Sequence, residues 1–309
     1  MDNNTALNSI YNSCTLCPRG CRTDRSVRPG RCGANNKIKL ARAALHFWEE
    51  PCISGERGSG TVFFSGCPLG CVYCQNRNIA SCRDGVEISR DRLVEIFFEL
   101  DKKGAHNINL VTPDCYIPDV ADAIRDAKAA GFTLPFICNC SGYHTLEAID
   151  MLGELIDVWL PDFKYVSREY GAKYSNAPDY VDMAKSAIDR MFKLRPECIF
   201  DGNGMIRKGV IIRHMMLPEG LSESKSAVKY LYNRYGDAVW LSIMSQYTPF
   251  GTLPYPELYK KVTEKEYDAL IDFAIDLGIE NAFTQEGEAA EESFIPEFNC
   301  EGVLPENNN

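Results

Sequence analysis

No window of this 309-residue chain approaches 18 uncharged apolar residues, so neither a membrane-spanning helix nor a membrane partner is expected. The N-terminus, Met1-Asp2-Asn3-Asn4, lacks the basic-then-apolar run of a secretory signal. Basic residues are outnumbered, 33 against 43, for a net charge of -10. That balance argues against non-specific nucleic-acid binding, and no RNA-binding appendage is recognisable. No repeat with a period of roughly 20–50 residues is evident. What the chain does have is cysteine, at 14 positions. A chain without an export signal is expected in the cytoplasm, where thiols stay reduced. There, cysteine-rich patterns mean metal sites or catalysis more often than disulfides.

The cysteines are clustered. Cys14, Cys17, Cys21 and Cys32 form one group, and Cys67, Cys71 and Cys74 a second. Cys52 and Cys82 lie near these groups, while Cys115, Cys138, Cys140, Cys198 and Cys300 are scattered, and core packing is expected for Cys198. Residues 1–58 have little periodicity and read as a small metal-stapled subdomain. From Thr61 short apolar runs alternate with amphipathic stretches. The pattern predicts strands over 61–65, 108–112, 134–138, 158–160, 210–215, 239–242 and 282–284. Helices are predicted over 89–103, 117–130, 145–156, 181–193, 222–235 and 263–277. Gly104, Gly131 and Gly278 mark three helix ends. Repeated strand–helix units imply an α/β fold with a parallel sheet, as a full or partial barrel. The tail from Pro305 is polar and expected to fray.

From Thr61 the sequence reads TVFFSGCPLGCVYCQN. A strand ends at Gly66, and a tight loop presents Cys67, Cys71 and Cys74 at the spacing Cys-x3-Cys-x2-Cys. Parallel α/β folds place active sites at the C-terminal ends of their strands, where this loop begins. Three thiolates so spaced can hold three corners of a 4Fe–4S cube, and Gly66, Pro68 and Gly70 suit the tight backbone that this requires. Three ligands instead of four leave one iron open for a substrate or cofactor. A zinc site would need a fourth ligand, with His46 and His106 the nearest histidines in sequence. A group of buried core cysteines is the plain alternative.

On these residues the chain resembles the radical SAM superfamily, and within it the uncharacterised proteins described as similar to pyruvate formate-lyase activating enzyme, from about Cys14 to Phe298. The resemblance implies a partial (βα)6-type parallel barrel over residues 59–298, with a small Cys-rich N-terminal subdomain (1–58) and a polar C-terminal tail (299–309). It implies a 4Fe–4S cluster whose open iron chelates the amino and carboxylate groups of S-adenosylmethionine. Reductive cleavage of that cofactor gives a 5′-deoxyadenosyl radical, which abstracts hydrogen from a substrate. Tyr73, the aromatic before the third cysteine, would lie near the adenine. No residue acting directly on the substrate is identified.

S-adenosylmethionine needs donors and acceptors from several strand ends. After the second strand, Val111-Thr112-Pro113-Asp114 stands where the superfamily often has a Gly-Gly-Glu-like segment. Thr112 or local carbonyls are expected to substitute. Asn139 and Ser141, after the third strand, are expected ribose or carboxylate contacts, with capping of the next helix as their structural alternative. Leu160-Pro161-Asp162-Phe163-Lys164-Tyr165 resembles the Asp-x-Lys segment of activating enzymes. Lys164 would pair the methionine carboxylate and Asp162 a ribose hydroxyl or the amine; a surface ion pair is the alternative. The run VIIRHMMLP puts Arg213 and His214 inside a barrel or at its rim. His214 is a candidate cofactor contact, against the reading of a satisfied core histidine. Gln246 ends the sixth strand and points to substrate or cofactor.

Cys14, Cys17, Cys21 and Cys32 can close a second site, either another 4Fe–4S cluster or a structural zinc, with Cys52 a possible replacement ligand. An iron–sulfur cluster is favoured, because it would relay electrons to the active one. Arg19, Arg22, Arg25, Arg28 and Arg31 recur at every third position against one acid, Asp24. They either compensate the thiolates or form a docking patch for a flavodoxin- or ferredoxin-type electron donor. The expected function is therefore a radical enzyme acting on a protein, peptide or small molecule, with glycyl-radical activation of a partner protein among the products considered. The competing class is a non-catalytic iron–sulfur or zinc protein, an electron carrier or scaffold, for which an open iron has no use.

Overall fold

The computed structural model describes residues 10–285 and 296–305. In chain order the elements begin with β1 (Ile38–His46), α1 (Pro51–Ser54), β2 (Ser59–Phe64), α2 (Arg77–Ala80), β3 (Val86–Ile88), α3 (Arg90–Lys102) and β4 (Ile108–Val111). There follow α4 (Ile117–Ala129), β5 (Phe136–Cys140), α5 (Leu146–Leu152), β6 (Val158–Pro161), α6 (Arg168–Ser175) and α7 (Tyr180–Leu194). The last are β7 (Ile199–Phe200), β8 (Ile206–Met215), α8 (Leu221–Tyr235), β9 (Trp240–Met244), α9 (Glu264–Asp276) and β10 (Ala282–Phe283).

Seven strands run parallel in the order β2-β4-β5-β6-β8-β9-β10. The sheet does not close: β10 stands at one end, and at the other β1 pairs antiparallel with β2 and β3 antiparallel with β1. Of the full or partial barrel that the alternating pattern allowed, this is the partial one, as the resemblance implied. β2, β4 and β6 are buried at every position, as strands covered on both faces must be.

The helices are amphipathic and end where local chemistry says they should. In α3 the Ser89 side chain caps Arg92 N–H, and Leu93, Ile96, Phe97 and Leu100 face the core. Thr263 and Glu266 form a reciprocal capping box on α9. Gly104, Gly131 and Gly278 follow three helices with φ of 88°, 91° and 83°, as their positions predicted.

Several parts of the fold were not anticipated. β1 lies within residues 1–58, where no strand was expected, and α6 fills a stretch for which no helix was predicted. The described part of the expected polar tail is docked: Cys300 N–H donates to Ala41 O (2.9 Å), Ala43 N–H to Glu301 O (2.8 Å), and Val303 is fully buried. Residues 306–309 of that tail lie outside the described residues. Among the described residues no helix is long and apolar enough to cross a membrane.

Candidate active site

Beyond β2 the chain passes through Ser65 and Gly66 into the three-cysteine loop. Gly66 has φ 98°, and a Cβ there would sit 3.2 Å from Ala34 Cβ and 3.3 Å from Cys115 Sγ. Glycine is needed for that backbone and that approach. The loop is anchored from outside itself. Gly66 N–H donates to Ile79 O (2.7 Å) and Val72 N–H to Tyr174 O (2.8 Å). The Arg19 guanidinium donates to the carbonyls of Pro68 and Leu69 (2.9 Å each) and Ser175 (2.8 Å). One side chain thus ties the segment between Cys17 and Cys21 to the loop and to the end of α6.

Cys67, Cys71 and Cys74 are free thiols that border one cavity of ≈ 370 Å³, within the roughly 300–1,000 Å³ range of ligand sites. Ser175 Oγ donates to Cys71 Sγ at 3.1 Å. Burial pushes the Cys67 thiol up, with the Asp114 charge adding to it. Burial also pushes Cys74 up to about 11, helped by Cys71. Thiols that resist losing protons in an apolar setting release them to a metal, whose charge takes the protons' place. The donor set fits an iron–sulfur group held on three thiolates.

The loops at the neighbouring strand ends complete the cavity. Thr112 follows β4 in the left-handed region (φ 55°), uncommon for a β-branched residue, and donates its N–H to Asn139 O at 2.8 Å. The turn after it buries Asp114, whose carboxylate lies 3.0 Å from His144 Nε2. Burial opposes charge on this imidazole, but Asp114 and Cys140 outweigh it and carry His144 up to about 9. The pair joins the turn after β4 to the loop after β5, which holds Asn139 and Ser141 at the cavity wall.

After β6, Lys164 Nζ donates to Asp162 Oδ2 at 2.6 Å. Burial works against the ammonium, yet Asp162 and Cys71 hold it above the ordinary lysine range. The Tyr180 hydroxyl accepts Lys164 N–H (2.9 Å) and lies 3.0 and 2.9 Å from the Ser141 and Asp162 carbonyls. Buried Tyr73 accepts a hydrogen bond from Tyr165 Oη at 2.8 Å. Gln246 accepts from Gln285 Nε2 at 3.1 Å.

Every predicted contact except His214 borders this cavity. His214 is turned to the opposite face of β8, its Nδ1 2.7 Å from Phe163 O, and burial lowers its basicity. Strand alternation instead delivers Arg213 to the cavity. Its partners Glu49 and Glu50, from the turn between β1 and α1, were not anticipated. Nothing local marks them, since Arg213 lies 163 positions from Glu50.

In the N-terminal group Cys14 is buried, Cys17 and Cys32 half-buried and Cys21 exposed. A fifth thiol joins them. Cys115 S–H donates to Cys32, which lowers the Cys32 thiol and raises that of Cys115. Arg25 is buried and donates to Ala34 O (3.2 Å) and Cys115 O (2.6 Å). Arg19 and Arg25 therefore serve the interior, while Arg22, Arg28 and Arg31 are exposed. Cys52 packs with Ile53, Ile137 and Ile206, in a different apolar cluster from the N-terminal cysteines. Cys198 borders that same cluster. Among the described residues no three His, Cys, Asp or Glu side chains converge closely enough to hold a single metal ion.

Residues 61–219 match the family model described as Radical SAM superfamily. An uncharacterised protein of Methanocaldococcus jannaschii is 25% identical over 275 residues, covering 86% of this chain and 75% of that one. Among solved structures, Streptococcus suis SuiB bound to precursor peptide SuiA has a TM-score of 0.50 at 12% identity, over 72% of this chain and 47% of that one. A domain of pyruvate-formate lyase-activating enzyme from Bacteroides vulgatus has a TM-score of 0.40 at 14% identity, over 55% of this chain and 91% of that one. The matched stretch opens on β2, takes in the three-cysteine loop and runs on past β8, so the chain belongs to the radical SAM superfamily.

Proposed function

We propose that the protein is a radical SAM iron–sulfur enzyme that cleaves S-adenosylmethionine reductively and abstracts hydrogen from a protein, peptide or small-molecule substrate. The observation that carries this reading is the meeting of Cys67, Cys71 and Cys74 with Asp162 and Lys164 on one cavity. Those three thiolates would hold a 4Fe–4S cluster with one iron open, and the chemistry it would supply there is the electron for splitting the sulfonium of S-adenosylmethionine.

The chain's own residues bind, orient and exclude water. Lys164, kept charged by Asp162, offers its N–H donors to the methionine carboxylate. Asn139 and Ser141 present polar groups to the ribose, and Thr112 takes the place of the Gly-Gly-Glu-like segment near the methionine amine. Gln246 offers its amide on the far wall. Tyr73, its hydroxyl already satisfied by Tyr165, supplies a buried face for the adenine. Phe63, Phe64, Leu69 and Val111 line the same cavity and keep it dry.

We assign Cys14, Cys17, Cys21 and Cys32 to a second metal group, an iron–sulfur cluster in preference to zinc. What supports this is contact: a Cβ on Gly66 would lie 3.2 Å from Cys32 O, so a cluster held there would lie beside the three-cysteine loop and would suit an electron relay. The exposed Arg22, Arg28 and Arg31 suit an acidic flavodoxin- or ferredoxin-type donor. A glycyl radical on a partner protein is one product this chemistry allows, and a reducing, cytoplasmic setting suits it.

The test is anaerobic reconstitution with iron and sulfide, reduction with dithionite, and assay for 5′-deoxyadenosine. Cys71→Ala is expected to abolish the product. Cys17→Ala is expected to lower iron content and turnover with a protein donor. An intact cluster that yields no 5′-deoxyadenosine would overturn the enzyme reading in favour of an electron carrier.

A further inference from the structure

The three loop thiols are not served alike. Cys67 and Cys74 accept hydrogen bonds from backbone N–H groups, those of Gly70 and Asn76. Cys71 accepts one from a side chain, the Ser175 hydroxyl at 3.1 Å. Ser175 closes α6 and is buried. The backbone around it holds the hydroxyl in place. Tyr174 O, one residue before, accepts from Val72 N–H (2.8 Å), one residue after Cys71, and Ser175 O accepts from the Arg19 guanidinium (2.8 Å). The end of α6 is thus fastened to the loop at the residues that flank the hydroxyl–sulfur contact.

Behind Ser175 stand two more hydroxyls. That of Tyr165, a fully buried residue, lies 2.8 Å from Ser175 Oγ and 2.8 Å from the hydroxyl of Tyr73, also buried. Tyr73, Tyr165, Ser175 and Cys71 therefore form one line that ends on a ligand sulfur. Hydroxyl protons turn to suit their neighbours, so the sense of the Tyr73–Tyr165 bond follows the state of the sulfur at the far end. A thiolate bound to iron can only accept, and that fixes every proton in the line. Ser175 donates to Cys71, Tyr165 to Ser175 and Tyr73 to Tyr165. Three hydroxyls then make three hydrogen bonds directed at one sulfur, each polarised by the one behind it.

We propose that Ser175, backed by Tyr165 and Tyr73, is a positioning residue that raises the reduction potential of a cluster bound through Cys71. Hydrogen bonds to the sulfurs are among the factors that set a cluster's potential. A donor aimed at a thiolate favours the reduced state, because that state carries one negative charge more. One electron from the flavodoxin- or ferredoxin-type donor goes onto the cluster, and the three hydroxyl protons stay on their oxygens. The effect is on delivery: the higher potential lets a weaker donor of that class load the cluster. The inference rests on the reading that Cys67, Cys71 and Cys74 hold an iron–sulfur cluster, and the test below separates the two.

The test is a potentiometric titration of the anaerobically reconstituted full-length protein, followed by the electron paramagnetic resonance of the reduced cluster. The signal to follow is the one lost in Cys71→Ala, which separates it from any signal of the N-terminal group. Ser175→Ala is expected to keep its iron and sulfide content. Its ratio of reduced to oxidised cluster at a fixed potential should drop at least tenfold, a midpoint lower by about 59 mV for a one-electron couple. Tyr165→Phe leaves the Ser175 donor in place and removes its backing, so its shift should have the same sign and be smaller. It carries the test alone if Ser175→Ala does not hold the cluster. A purely structural role would change iron content or melting midpoint and leave the potential where it was. A midpoint unchanged in cluster-loaded Ser175→Ala, or in Tyr165→Phe where that variant stands alone, overturns the proposal, as does a shift to higher potential in either. A wild-type protein without any signal that Cys71→Ala removes overturns the cluster reading itself.

Discussion

Replacing Asp114 with asparagine should remove most of a pH dependence of stability that the wild-type chain shows between about pH 6.5 and 9. The carboxylate sits 3.0 Å from His144 Nε2, the two side chains 1% and 2% exposed. Together with Cys140 it raises the imidazole from 6.5 to about 9. That rise corresponds to about 3 kcal/mol. The folded chain keeps a proton that the unfolded chain releases above pH 6.5. The stabilisation is therefore complete below pH 6.5, declines as the pH climbs, and is gone above about 9. For a chain of this size about 3 kcal/mol is roughly 6 °C of melting midpoint. Thiols also titrate in this interval, so the quantity to measure is the difference between wild type and Asp114→Asn at matched iron content. It is expected to be largest near pH 6 and to shrink toward pH 9.5. Two midpoint curves that fall in parallel would refute the argument. The pair matters to the site because it links the turn carrying Thr112 to the loop carrying Asn139 and Ser141.

Lys164→Met should leave the Asp162 carboxylate without its partner at 2.6 Å and remove the cation assigned to the methionine carboxylate. S-adenosylmethionine affinity, measured by equilibrium dialysis, is expected to drop at least tenfold, and unchanged affinity would remove Lys164 from the binding site. Arg19→Ala deletes the donors to Pro68, Leu69 and Ser175. Water can reach part of this site, so a loss of about 1–3 kcal/mol is expected. Amide hydrogen exchange should then speed up together in residues 14–21 and 66–74. Exchange confined to one of those segments would show that Arg19 does not couple them.

What could be read from the sequence was whatever chemistry is local. Cys-x3-Cys-x2-Cys needs only one loop, the helix ends need only a serine, threonine or glycine at the right place, and strands covered on both faces announce themselves as apolar runs. β1 escaped because its burial is interrupted: Lys39, Arg42, Leu45 and His46 are only half-buried. Its alanines are also poor strand formers, and it is held as strand by pairing with β2, β3 and the docked segment around Cys300. The cavity wall was legible where each residue ends a strand, as Thr112, Asn139 and Asp162 do. In VIIRHMMLP the period of two required Arg213 and His214 to face opposite ways, but nothing in those nine residues said which of them faced in.

The arginines at every third position make the same point from the other side. Their spacing looked like a uniform basic surface, yet the fold divides them by the demand of backbone carbonyls. Arg25 is drawn inside where Ala34 and Cys115 present carbonyls to it, and Cys115 lies 90 positions away. Arg19 is drawn in by the turn of the three-cysteine loop, 49 positions on. A guanidinium is suited to this, since it can satisfy several carbonyls at once while its charge offsets nearby thiolates. The two readings of the arginines are therefore not exclusive. The inward pair builds the junction between the cysteine groups, and Arg22, Arg28 and Arg31 stay exposed, where the proposed electron donor would dock.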